Sequence, residues 1–160
     1  MNDIDDYATC AETYVTLRAY HESEDPSTFS AAIDITPTDT QCIGDSREIS
    51  GRNGIIKLAG WFLCSKEHLE SYDTEKHLSW MITKLEPHKA TLDELRSKGW
   101  RMDLACLWDS QWGDGGPTLS PSILKHLADL EIEIWFDLYL VKAYRFIQKL
   151  KGIKGVKAHN

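Results

Sequence analysis

The chain has 160 residues, 42% of them hydrophobic and 27% charged, which suffices for the core of one ordinary domain. No apolar run reaches the roughly 18 residues of a membrane-spanning helix, so no membrane partner is expected. Formal charge is −7 at pH 7: residues 1–140 hold 12 basic against all 25 acidic side chains, net −13, and residues 141–160 hold the other six basic residues and no acid. An acidic body repels phosphate backbones, which excludes nucleic acid as the expected partner and leaves a basic protein as the complementary one.

The opening stretch, Met1 to Tyr14, is acidic and lacks an apolar centre, so no signal or transit peptide is read there and a cytoplasmic location is expected. The first twelve residues are polar, and fraying is expected. Val15, Leu17 and Ala19 alternate with Tyr14, Thr16, Arg18 and Tyr20, a half-buried strand. Asp25 then caps a helix with Pro26 at its first position and Phe29, Ala32 and Ile33 along one side, stopped by Thr36-Pro37. Residues 37–60 carry Gly44, Gly51, Gly54 and Gly60 and few apolar residues, a long loop of the functional or mobile kind. Within it Ile55–Leu58 reads as an edge strand leading into a firmer strand, Trp61–Cys64.

Asp73 or Thr74 caps the next helix, whose Leu78, Met81, Ile82 and Leu85 follow the i, i+3, i+4, i+7 template up to Pro87. A capping box at Thr91-Leu92-Asp93-Glu94 predicts a short helix ending at Gly99. Trp100, Met102, Leu104, Cys106 and Trp108 share one face of a strand. The loop Gln111–Leu119 follows, then a helix capped by Ser120 with Pro121 at its start. Ile132, Ile134, Phe136 and Leu138 alternate with Glu133, Trp135, Asp137 and Tyr139 in a last strand. Leu140, Val141, Tyr144, Ile147 and Leu150 predict a basic amphipathic C-terminal helix.

Val15–Ser23 and Met102–Ser110 read as copies of one another, each followed by a Pro-Ser helix opening, Pro26-Ser27 and Pro121-Ser122. The expected fold is therefore α+β: two β-α-β halves forming a ferredoxin-like antiparallel sheet with helices on one face, plus the C-terminal helix. One domain is read over residues 1–160, with a core at about 14–140 and the basic tail beyond it. The polar alternate faces of the first and last strands argue against a doubly wound parallel sheet.

With Tyr14–Tyr20 as an opening strand, Ile35-Thr36-Pro37 after the first helix, Gly44-Asp45, Trp61–Ser65, the helix to Leu85-Glu86-Pro87 and the closing Leu127–Leu140, the chain resembles the DUF4279 domain, a bacterial family of unknown function. The resemblance covers roughly residues 14–140. It brings no catalytic residues with it. By analogy, similar small acidic proteins serve as immunity partners of bacterial toxins.

Relative to the first copy, the second carries an eight-residue insertion, rich in glycine and holding Trp112. A loop of this kind on a rigid scaffold suits a binding contact. Asp109, Trp112, Asp114, Glu131, Glu133 and Trp135 are accordingly the candidate partner-binding residues. Asp109 and Asp114 with Glu131 or Glu133 would be the alternative chelators of a hard cation, although the acidic spacing of a calcium loop is missing. Gly113–Gly116 lacks the Gly-Lys-Ser/Thr of a phosphate loop. Of the six histidines, His21 is expected to cap the sheet end, while His68, His77, His88 and His126 fall at solvated positions. The cysteines Cys10, Cys42, Cys64 and Cys106 have no C-x-x-C spacing and are expected to be free buried thiols, with no zinc or other cofactor. Thr16, Arg18, Tyr20, Arg101, Asp103, Glu133, Trp135, Asp137 and Tyr139 form one polar sheet face, with Arg18 in a cross-strand salt bridge to Asp103 or Asp137.

The function expected from these features is non-enzymatic protein binding, in its specific form an immunity protein that takes a basic toxin domain. A metal-assisted hydrolase using Asp109 and Asp114, or a small-ligand sensor using residues 37–60, are the alternatives.

Overall fold

Strict alternation makes the long central strand. In β1 (Cys10–His21) the side chains of Val15, Leu17 and Ala19 are fully buried, and those between them are partly exposed. The computed structural model describes residues 7–49 and 52–140. β1 starts four residues before the expected Tyr14 because its backbone pairs with β6 (Arg101–Ser110) as far as Cys10, across a bulge between Cys10 and Glu12. After β1, α1 (Pro26–Ile33) is capped by Asp25, whose carboxylate accepts from the Ser27 amide. The helix ends at Ile33, three residues before the expected Thr36, and the capping Asp34 takes a left-handed φ of 51° and returns its amide to Ser30.

Residues 37–60 form strands where a loop was expected. β2 (Asp39–Gln41) pairs antiparallel with β5 (Ala59–Cys64), and β3 (Ser46–Ile49) pairs with β4 (Arg52–Ile55) in a separate two-stranded hairpin. The edge strand is thus β2; of the stretch Ile55–Leu58, Ile55 ends β4 and residues 56–58 lie between β4 and β5. α2 (Thr74–Leu85) is capped by Asp73. α3 (Lys89–Ser97) starts two residues before the predicted capping box, following the 3-10 turn Glu86–His88 without a break. Gly99, at φ 101°, supplies the stop. α4 (Pro121–Asp129) opens on Ser120 and Pro121 as predicted, and β7 (Glu133–Leu140) follows.

The main sheet runs β2-β5-β1-β6-β7. β1 is antiparallel to both β5 and β6, but β6 and β7 are parallel, so the expected antiparallel sheet is corrected to a mixed one. The reason is the connection: α4 crosses over between β6 and β7 and returns the chain in the same direction. In the first half the chain comes back antiparallel, so the two copies do not pair alike. Helices α1 to α4 all bury side chains in one cluster, Phe29, Leu78, Leu92 and Ile123 among them, together with Val15, Leu17, Leu63 and Leu104 from one face of the sheet. The other face has no helix over it among the described residues. The basic segment 141–160, read as a C-terminal helix, lies outside the described residues.

Candidate functional site

Register assembles the uncovered face row by row. Directly paired residues share a face, so Phe62, Arg18, Asp103 and Glu133 form one row and Cys64, Thr16, Ala105 and Trp135 the next. Tyr14, Leu107 and Asp137 form a third, and Glu12, Asp109 and Tyr139 a fourth. Arg18 is the hub. Its Nε and Nη2 donate to the two carboxylate oxygens of Asp103 at 2.6 and 2.8 Å, and its guanidinium lies 4.6 Å from the Trp135 ring centre. The hydrogen bonds to Asp103 raise the Arg18 pKa further above the ordinary range. Burial raises the phenols of Tyr14 and Tyr20, and the Asp137 carboxylate raises that of Tyr139, which donates to it at 3.1 Å. All three tyrosines are therefore neutral donors at physiological pH. Trp135 and Tyr139 are about half exposed, at 52% and 51%.

The second zone is the loop after β6. Trp112 is 56% exposed, yet its indole N–H donates to the Ala8 carbonyl at 3.2 Å. Ser110 accepts from the Gly113 amide and donates to the Asp114 carbonyl, and the Gln111 amide donates to Thr9. Tyr7 ties the end of the loop down through Thr118 and stands edge-on to Trp108 at 5.4 Å. The insertion is thus packed on the start of β1. Beside it lies an open cleft of about 530 Å³ lined by Glu12, Thr13, Lys66, Glu70, Tyr72 and Asp109 among others. Lys66 bonds Glu12 there. Asp109 Oδ1 is closed off from solvent with no hydrogen-bond partner.

The six candidate residues fall into two groups. Asp109, Trp112 and Asp114 stand at the end of β6 and in the loop after it, and Glu131, Glu133 and Trp135 in the turn before β7 and in its first half. Because β7 runs parallel to β6, Glu133 sits opposite Asp103, six residues or about 20 Å from Asp109. The chelate of Asp109 with Glu131 or Glu133 is ruled out by that separation. Among the described residues no three His, Cys, Asp or Glu side chains converge as a metal site.

His77, expected at a solvated position, is 1% exposed. Its Nε2–H donates to the Ser71 carbonyl at 3.1 Å, which leaves Nδ1 to accept from Ser65 Oγ at 2.8 Å, and Ser65 Oγ accepts the Val15 amide. Burial lowers its pKa below the ordinary 6.5. Its partners are structural: they join the edge of β1 to α2. His21 does cap the sheet end, accepting from the Ser23 and Glu24 amides and donating to the Lys98 carbonyl. Of the thiols expected to be buried, Cys10 and Cys106 are, while Cys42 and Cys64 are partly exposed.

Sequence reasoning placed Tyr14 with Thr16 and Arg18 but missed Phe62, Cys64 and Leu107 on the open face. The period of two held the signal for each strand, but only the register says which rows meet. The cleft left no sequence signal, since its walls come from β1, the turn after β5 and the end of β6.

The fold and site define an α+β domain with a one-sided mixed sheet whose free face carries acids and aromatic rings. The chain belongs to the family described as Domain of unknown function (DUF4279), which it matches over residues 11–141. No curated protein and no solved structure matches it.

Proposed function

We propose that the protein is a non-enzymatic binding domain for a basic protein partner, in its specific form an immunity protein that neutralises a bacterial toxin in the cytoplasm. The observation that carries this reading is the open sheet face. Half-exposed Trp135 and Tyr139 stand there among Glu133, Asp137 and Asp103 on strands held by the sheet. Rigid aromatic anchors supply most of the energy of protein contacts, and acids around them steer a basic surface and set its orientation. Glu131 extends this zone at one end, and Asp109, Trp112 and Asp114 at the other.

The test is co-expression with a toxic basic domain encoded beside the gene. Growth should be restored and a complex should purify, and Trp135→Ala should weaken it by about thirtyfold, the size of a hot-spot loss near 2 kcal/mol. Metal-dependent turnover that Asp109→Asn or Asp114→Asn abolishes with the fold intact would overturn the reading in favour of a hydrolase.

A further inference from the structure

The open face is unpartnered among the described residues, and the chain carries a segment whose chemistry matches it. β7 is an edge strand and ends at Leu140, beside Ser110. The residues that follow, 141–160, hold six basic side chains and no acid, with Val141, Tyr144, Ile147 and Leu150 spaced three apart. On the face, Glu12, Asp103, Asp109, Glu133 and Asp137 stand against Arg18, Lys66 and Arg101, and two of those cations are already committed, Arg18 to Asp103 and Lys66 to Glu12. Negative charge is left over beside the rings of Trp135 and Tyr139. The reach is sufficient: strands lie about 4.8 Å apart, so crossing from β7 to β5 spans about 15 Å, within the span of ten residues in any backbone conformation. Exposed Leu124 and Leu138 on the helical side offer a rival apolar site, where Asp129 is already paired with Lys125.

We propose that residues 141–150 of this same chain lie across the open sheet face, with Lys142, Arg145 and Lys149 toward its spare acids and the apolar residues on the Trp135 and Tyr139 rings. The tail then resembles the basic partner in chemistry, and a partner on this face has to displace it. The displacement rests on the function proposed above; the covering does not.

Oxidative footprinting of the full chain, mapped by mass spectrometry, tests this. Trp135 and Tyr139 should be labelled at least about threefold faster in 1 M salt, and in the variant Lys142→Glu with Arg145→Glu and Lys149→Glu, than in the unaltered protein at low salt. Trp112, exposed outside the face, should label alike throughout. Asp137→Lys alone should also speed labelling, and adding Lys142→Glu should slow it again. Equal rates at Trp135 under all these conditions overturn the proposal. So does protection at Leu124 and Leu138 instead, or protection that grows with protein concentration, which would put a second copy on the face. If labelling responds as expected, the triple variant should bind the basic partner at least about threefold more tightly. Unchanged affinity would refute displacement alone, and the absence of any partner would refute the function and leave the covering intact.

Discussion

Arg18 shows how one side chain sets the character of a surface. Bidentate contact with Asp103 and stacking against Trp135 hold three strands' side chains in one geometry. The pair is about a quarter exposed, at 22% and 28%, so its worth is modest: a double-mutant cycle of Arg18→Met and Asp103→Leu should give a coupling of about 1 kcal/mol by urea denaturation. A coupling near zero would show that Arg18 is held by the ring alone. His77 makes the pH dependence. Its folded pKa lies below its unfolded one, so between the two values the unfolded chain binds more protons and folding is disfavoured. Stability is full above the ordinary histidine range and falls as pH drops through about 6.5 toward the lower folded value. Melting curves from pH 7.5 to pH 5 should show that loss in the unaltered protein and less of it in His77→Gln. Burial pushes Cys10 up to about 11 and Cys106 up to about 12. Both should resist iodoacetamide at pH 7.5 until the protein unfolds, while the partly exposed Cys42 and Cys64 react in the folded protein.

At the scale of elements, the inserted loop depends on backbone that only glycine accepts easily. Gly115 has φ 77°, and a Cβ built there would come within 2.6 Å of Thr9 Oγ1. Gly115→Ala should therefore cost about 1–2 kcal/mol and loosen the loop from the start of β1, read as a lower melting temperature and faster amide exchange at Gln111. The helix starts show sequence acting locally. Asp25, Asp73 and Ser120 each accept an amide of their own first turn, and a cap needs nothing from the rest of the fold. The predicted capping box at Thr91 failed because Glu86–His88 already winds the chain into α3, so that helix begins without a side-chain cap.

For the whole molecule, a sheet covered on one side only leaves its other face for contacts, and the body's charge decides their sign. The first 140 residues carry net −13. Association with a basic partner should therefore slow by roughly tenfold or more between about 20 mM and 500 mM salt in stopped-flow measurements, while dissociation changes little. An association rate indifferent to salt would remove electrostatics from the recognition.

Much of the secondary structure could be read from the chain: the alternation in β1, β6 and β7, the stripe of α2, the caps at Asp25, Asp73 and Ser120, and the polar face that includes Arg18, Asp103 and Trp135. Those features depend on residues a few positions apart, whose physics is local. Tertiary structure alone decided that β7 lies parallel to β6, which separated Glu133 from Asp109 and divided the candidate residues into two zones. It also decided that residues 39–41 pair as an edge strand, and that His77 of α2 is enclosed against Ser65 and Ser71. Pairing, register and burial are made by segments far apart in the chain. Their energies come from surfaces that exist only once those segments have met.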